Sequence, residues 1–423
     1  MRKRIAVIGG GFTGLSCGVS LVDEDFEVVI FEASDKCGGL ASGFNPSTGS
    51  GQVHWKWNLE SFYHHIFTGD REIIELAKKV GAKYFFKEPQ TTSFFRHKET
   101  VLDSPLSLMK FSAISFPARL RMGFGLAILK LIPDGIFLER YRVVDLLPKL
   151  IGSEGYKHIW EKLLKAKFGP YENLVNMAWF WARVAKRSKR LGYFEGGFQG
   201  LVDKTAKYIT SHGGIIRLNT RVTSLQKNKR GVSVNGEDYD AVVLTIPAST
   251  IKKIVPGVDF PELNYLWGQT LVLETTGKLI KGYWMNILEE NWPFLVTVEH
   301  TNFVDKKNYT DKHIIYVGNY LPDGHKQLKM TEQQLLRLYM PYLKKINGRF
   351  NKDMIINAYL FRVPYAQPVF PINYSRVIPK MRTKTKGIYL ANMSMVYPFD
   401  RGTNYAVKMG RDVARIIKDD LRQ

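Results

Sequence analysis

Arg4-Ile5-Ala6-Val7-Ile8-Gly9-Gly10-Gly11-Phe12-Thr13-Gly14 is the stretch that decides how the chain is read. Arg4–Ile8 has the unbroken apolar character of a short buried strand, and Gly9, Gly11 and Gly14 follow it with G-x-G-x-x-G spacing. Leu15–Val22 suits a helix, and Phe26–Phe31 a second buried strand that ends at Glu32. Each part has a mechanical reason. Gly9 permits a tight turn, Gly11 lets a pyrophosphate approach the backbone, and Gly14 lets helix and strand pack closely. Phe12 and Thr13 open a helix whose first amides are unpaired and carry the positive end of the helix dipole. Glu32 lies where a carboxylate accepts hydrogen bonds from ribose hydroxyls. Strand, glycine turn, helix, strand and acid in this order predict a bound adenine dinucleotide. The plainer alternative is a glycine-rich turn between two core strands.

Outward from Glu32 the chain reads Glu-Ala-Ser-Asp-Lys-Cys-Gly-Gly-Leu-Ala-Ser-Gly-Phe, so Ala33 follows the acid and Gly38-Gly39 come shortly after. A second glycine pair permits another close approach to the same pyrophosphate, which an NAD-only unit does not need. With this run the chain resembles the flavoprotein superfamily of flavin amine oxidases, protoporphyrinogen oxidases, carotenoid desaturases and UDP-galactopyranose mutases. In that superfamily the acid and glycine pair mark FAD, and the residues after the pair border the isoalloxazine. Many amine oxidases carry Arg there; Leu40-Ala41-Ser42 is more similar to the oxidase, desaturase and mutase side. The resemblance implies an α/β fold: a Rossmann-like, discontinuous FAD-binding domain of the glutathione-reductase type with an inserted α+β substrate domain. The implied division is 1–57, 191–255 and 380–423 for FAD. It leaves 58–190 and 256–379 for substrate, the former with a helix-rich basic insert.

Two later segments complete the nucleotide half. Gly196-Gly197 and Gly200 precede a helical stretch, Leu201–Ser211, closed by Gly213-Gly214 and followed by strand candidates Ile215–Leu218 and Val222–Leu225. The resemblance places Val222 beside the FAD adenine. Tyr239–Ile246 reads as one buried strand ending at Pro247, and Ile388–Asn392 as another before a helix from about Thr403. Superfamily members usually read Ala-Gly-Asp at that last strand end. Here it is Ala391-Asn392-Met393, so the acid is missing and Asn392 is expected to take over part of its work. The resemblance puts Gly402, Thr403 and Asn404, after Asp400-Arg401, at a helix start facing the flavin pyrimidine.

Candidates for chemistry lie in the inserts. Tyr63-His64-His65-Ile66-Phe67-Thr68 resembles the His-rich stretch of the UDP-galactopyranose mutases, and imidazoles suit proton shuttling near neutral pH. A packed His beside a solvated one is the bland alternative for His64 and His65. In Phe361–Pro371 the prolines stiffen a loop carrying Tyr365, while Arg362 is expected either to hold an anionic substrate group or to serve as a structural ion-pair partner. Asp70–Val80 and Thr331–Leu343 have helical spacing, and Gln269–Tyr320 alternates as a sheet does. The helical spacing of Trp179, Phe180 and Trp181 predicts core. The alternative joins them, with Arg183, Lys186, Arg187 and Phe111–Phe137, into a basic apolar lip lying on a bilayer.

Composition bounds the rest. The 423 residues, 45% hydrophobic and 13% aromatic, suffice for two or three domains. Two cysteines, Cys17 and Cys37, lack disulfide or metal spacing, and the nine histidines show no ligand motif, so a reducing cytoplasm and no metal are expected. Met1-Arg-Lys-Arg opens basic, yet a strand and glycine turn account for the adjoining residues better than a signal peptide does. Net charge is +22, and residues 104–190 hold sixteen Lys/Arg against six Asp/Glu. That field favours an anionic or lipophilic small-molecule substrate and peripheral contact with the inner face of a membrane; no nucleic-acid motif accompanies it, and no nucleic acid is expected.

These readings lead to an FAD-dependent oxidoreductase of the flavin amine oxidase and protoporphyrinogen oxidase type, moving a hydride from an organic substrate to flavin N5. The alternatives are a non-redox flavoenzyme resembling UDP-galactopyranose mutase, acting on a nucleotide sugar, and a flavin-binding, membrane-associated protein whose catalytic role is lost.

Overall fold

A computed structural model describes residues 2–46, 55–229, 231–255, 258, 260–399 and 401–422. Arg4–Ile8 and Glu27–Phe31 are strands joined by the helix Phe12–Val22. They belong to a five-stranded parallel sheet ordered Ile215–Arg217, Glu27–Phe31, Arg4–Ile8, Ala241–Leu244, Ile388–Leu390. Ile5, Val7, Val28 and Ile30 are fully buried because the sheet is covered on both faces. Each such side chain contributes roughly 1.5–3 kcal/mol of burial free energy. The chain builds outward from Arg4–Ile8 to one edge, then returns to the other side of that same strand. Strand order reverses there, and a crevice opens at the carboxyl ends, where Gly9 begins.

Close packing explains Gly14. A Cβ on it would lie 1.9 Å from the Gly9 carbonyl oxygen, so only glycine lets the first helix sit this near its strand. The C-terminal helix Thr403–Arg422 lies against the first helix in the same intimate way.

A second sheet of seven strands is ordered Ile355–Val369, Asn264–Thr275, His313–Leu321, Val296–Glu299, Trp284–Ile287, Thr91–Phe95, Lys98–Val101. Its pairs are antiparallel except Trp284–Ile287 with Thr91–Phe95, which are parallel. Segments far apart in sequence thus share one sheet. The helix Glu332–Ile346 buries Leu335, Tyr339 and Leu343, and a Thr331–Gln334 capping box satisfies its first amides. Between 105 and 185 the chain is helical: Pro105–Met109, Phe116–Leu131, Val143–Ile151, Glu161–Phe168 and Met177–Ala185. Trp179, Phe180 and Trp181 are buried in the apolar cluster these helices enclose, so they are core and not part of a surface lip.

Two expected strands differ. Val222–Leu225 is not one strand: pairing starts only at Leu225, in a three-stranded antiparallel sheet of Leu225–Asn228, Gly231–Val234 and Glu237–Tyr239. Tyr239–Ile246 divides at Asp240, whose carboxylate accepts from the Arg4 amide and the Lys3 ammonium. Tyr239 pairs in the small sheet, and Ala241–Leu244 in the parallel one. The apolar run looks continuous, but the joint is fixed by a partner in the first strand.

Candidate functional site

The crevice opens into a cavity of about 580 Å³, in the range that holds small molecules. Its glycine wall is built by two runs lying side by side. The Gly38 amide donates to the Gly10 carbonyl at 2.9 Å, and Gly11 and Gly38 form a parallel bridge. Gly38 adopts φ +127°, and a Cβ there would come within 2.9 Å of Ser42 Cα, so the second run needs glycine for its own turn. A Cβ on Gly39 would lie 3.3 Å from Gly11 Cα, closing the gap between the runs.

Gly9, Gly11, Phe12 and Thr13 line the cavity, as do Gly38, Gly39, Leu40 and Ala41. The first helix has Gly11 as N-cap and no side-chain cap, which leaves its first amides open to a ligand. Glu32 also lines it. Its carboxylate accepts from the Gly10 amide at 2.7 Å and from the Ser34 amide at 2.9 Å, so the acid is held rigidly at the strand end. Asn392, Gly402, Thr403 and Asn404 form part of the lining. Asn392 Oδ1 accepts from Ser394 Oγ at 2.6 Å, whereas Asn392 Nδ2 is buried with no partner among the described residues. A buried orphan donor beside a two-glycine cradle and an open helix end fits a dinucleotide. Asn404 is already committed, accepting from the Ile73 amide at 3.2 Å. Asp400 falls outside the described residues.

Four expected site residues do not line the cavity. Gly14 is in the helix–strand contact, and Ala33 is exposed. Val222 packs into an apolar cluster with Val232, Val234 and Tyr239, because its segment bends toward the small sheet. Arg362 is a structural cation. It donates from Nε to Gln269 Oε1 and from NH2 to the Gln327 carbonyl, both at 2.8 Å, and also to the Met330 carbonyl. Strand alternation turns Arg362 away and presents Val363 to the cavity instead.

His64, His65 and Tyr365 do line it. His64 Nδ1 donates to the Phe62 carbonyl at 2.5 Å; a carbonyl only accepts, so the proton sits on Nδ1 and Nε2 is left as an acceptor. Burial pushes the His64 pKa down to about 4, and burial with the nearby Arg187 pushes His65 down to about 3. Burial thus favours the neutral form of both imidazoles. His65 Nδ1 is buried and unpartnered among the described residues. Tyr365 holds φ +60° and stands edge-on to Tyr265 at 5.3 Å, a strained backbone position inside the cavity wall.

The structure adds walls that the sequence did not disclose. Thr245, Ile246 and Pro247, just past a parallel strand, line the cavity; their place at the carboxyl end of a strand beside the switch point is the signal that could have found them. Tyr265, Trp284 and Tyr320 come from three strands of the second sheet. Arg183, Lys186 and Arg187, together with Arg401, belong to the same lining. Arg401 stacks over the Tyr320 ring at 4.8 Å.

Fold and site together define a class: an α/β dinucleotide-binding protein with a second, sheet-walled compartment beside the cradle. Within it the chain belongs to the flavin containing amine oxidoreductase family, whose model matches residues 12–418. It is 20% identical over 283 residues to the hydroxysqualene dehydroxylase of Zymomonas mobilis subsp. mobilis, covering 60% of this chain and 65% of that one. It is 23% identical over 297 residues to that of Sinorhizobium fredii, covering 62% and 66%. The chain thus spans just under two thirds of the length of these relatives. Its fold is similar to that of an Exiguobacterium protein assigned as a protoporphyrinogen oxidase, with TM-score 0.78 at 16% identity over 100% of both chains. It is also similar to that of reduced UDP-galactopyranose mutase, with TM-score 0.76 at 14% identity over 99% and 96%. At such identities the likeness is one of fold.

Proposed function

We propose that the chain is an FAD-dependent oxidoreductase acting on an organic small molecule. The observation that carries this is the paired cradle: Gly38 bonded to Gly10, with Glu32, an uncapped helix and the orphan Asn392 donor around one cavity. In this reading residues 1–57, 191–255 and 380–423 hold FAD, and 58–190 with 256–379 shape the substrate compartment. Gly9, Gly11, Gly38 and Gly39 receive the pyrophosphate; Glu32 the adenosine ribose. Asn392 and the amides at Gly402 and Thr403 face the flavin half. When bound, FAD accepts the hydride that the substrate gives up. The protein orients and excludes water: Tyr265 and Tyr365 confine an apolar body, while neutral His64 and His65 offer fixed hydrogen-bonding atoms. Relatives named for hydroxysqualene support a lipophilic substrate, and the four cations of the lining support an anionic group on it. The setting we infer is cytoplasmic, with peripheral contact at the inner face of a membrane.

The test is anaerobic mixing of the purified protein with amines, porphyrinogens, polyprenoids and UDP-sugars. Bleaching of the flavin band by one of the first three classes supports an oxidoreductase, and no bleaching by any of them counts against it. The cations Arg183, Lys186, Arg187 and Arg401 in the lining favour one second reading, a non-redox enzyme taking a nucleotide sugar. Turnover of a UDP-sugar that needs pre-reduced flavin yet consumes no reductant would select it.

A further inference from the structure

Exposed large apolar side chains gather on one element. Along the helix Phe116–Leu131, Phe116, Leu120, Phe124, Ile128 and Leu131 are exposed, Phe124 at 70% and Leu131 at 82%. Their spacing of three and four places them on a single stripe. The opposite side, Met122, Gly125 and Leu129, is buried against the helical core. The helix therefore shows apolar faces on two sides, and only one is covered by the protein. Its charged residues are Arg119, Arg121 and Lys130, with no acid between 116 and 131. At about 100° per residue Arg121 flanks one border of the stripe and Lys130 the other; Arg119, on the Lys130 side, turns its guanidinium to the Met109 carbonyl. Leu106 and Phe137, on the adjoining turns, are exposed at 67% and 52%. Two carboxylates lie near the ends of the helix: Glu154, which accepts from the Ser115 amide, and Asp134, which accepts from the Ile136 amide.

An apolar stripe bordered by cations matches the interface of an anionic bilayer, where rings enter the acyl boundary and cations meet phosphates. A second copy of the chain fits less well, since a two-fold contact would set each basic border against another. The helix, about 24 Å long, lies within a chain in which no helix of the described residues is long and apolar enough to cross a membrane. The face is also coupled to the cavity. Phe116–Leu131 packs on Met177–Ala185, and Trp181 of that helix donates to the Ile132 carbonyl at 3.1 Å, while its neighbours Ala182 and Arg183 line the cavity.

Resting on the peripheral contact inferred above, we propose that the Phe116–Leu131 stripe docks the protein on an anionic phospholipid surface, with the substrate compartment behind it. The full-length protein is sedimented with phosphatidylcholine vesicles containing about 30 mol% phosphatidylglycerol, and with pure phosphatidylcholine vesicles. Binding to the anionic vesicles at least about tenfold tighter, weakened by high salt, is expected. Phe124→Glu with Leu131→Glu should abolish it while bound flavin and melting temperature stay unchanged. Should that pair fail to fold, Phe124→Cys carrying a polarity-sensitive probe reads the same face, since Cys17 and Cys37 are buried. A blue shift on anionic vesicles supports docking, and its absence overturns it. Wild-type protein left in the supernatant, or a folded double variant that binds like wild type, also overturns the proposal. So does a dimer that these substitutions split with no loss of vesicle binding. A colourless protein that still binds vesicles would count against the flavin reading alone.

Discussion

The Gly38 amide donates to the Gly10 carbonyl at 2.9 Å, tying the second glycine run to the first along the glycine wall of the cavity. Neither run makes the cradle alone: the first supplies the open helix end, and the second sets a tight glycine turn beside it. This bond turns two sequence motifs into one binding surface.

Gly11 and Gly14 separate cofactor binding from folding. A Cβ on Gly11 meets only Gly39 Cα, at 3.9 Å, so Gly11→Ala should fold normally and intrude only on a bound ligand. Its flavin affinity should fall by about 100-fold, roughly 2.7 kcal/mol, with urea midpoint unchanged.

Gly14→Ala behaves in the opposite way. The added methyl would sit 1.9 Å from the Gly9 carbonyl oxygen, and overpacking there costs roughly 1–3 kcal/mol or more. Urea denaturation of the apoprotein should show the loss without any cofactor present.

Asn392→Leu removes the orphan Nδ2 donor and also the Oδ1 acceptor that Ser394 uses. Flavin retention in gel filtration should drop at least about tenfold, in line with the loss of a donor to a buried partner. Asn392→Asp keeps the acceptor but replaces the donor with a carboxylate. It should fold like wild type and bind flavin with an altered reduction potential, read by titration with a dye couple.

Acid should destabilise the protein through its buried imidazoles. The folded pKa values of about 4 for His64 and about 3 for His65 lie below the ordinary 6.5. The unfolded chain therefore takes up protons first. The stability tied to the neutral rings is complete above pH 6.5 and is lost as pH falls toward 4 and then 3. Each ring accounts for on the order of 1–3 kcal/mol after allowance for its partial contact with the cavity. His65→Gln should flatten the acid limb of a urea-midpoint profile between pH 7 and 4; an unchanged slope would count against burial as the cause.

Arg362 should act on stability and not on substrate. It holds Gln269 and the carbonyls of Gln327 and Met330, and it is outside the cavity lining. Arg362→Met should lower stability by about 2–4 kcal/mol by leaving buried acceptors unpaired. At temperatures where the variant is folded, KM should stay within about twofold of wild type, since uniform substrate binding is untouched. A large rise in KM would restore the substrate-anchoring alternative.

Legibility in the sequence followed the range of the interactions. The cradle was readable because its parts are local: strand, glycines, helix and acid within forty residues, each with a backbone reason. His64, His65 and Asn392 were readable as departures or unusual pairs in segments near the cradle. Arg362 resisted because its partners come from Gln269 and from the Lys326–Lys329 turn, which no local spacing announces. The same is true of Tyr265, Trp284 and Tyr320, which meet only after distant strands join one sheet. Arg183, Lys186 and Arg187 read as a surface run, and only the packing of Met177–Ala185 turns them toward the cavity. Val222 differs: the resemblance placed it by the adenine, and its side chain packs into the core beside the small sheet, which leaves only its backbone for such a contact.

The most direct measurement of what the cradle holds is denaturation of the freshly purified protein, then chromatography and mass determination of the released chromophore. FAD, at about one molecule per chain for a single cradle, is the expected result. FMN alone, or a colourless protein that takes up no FAD on reconstitution, would contradict it.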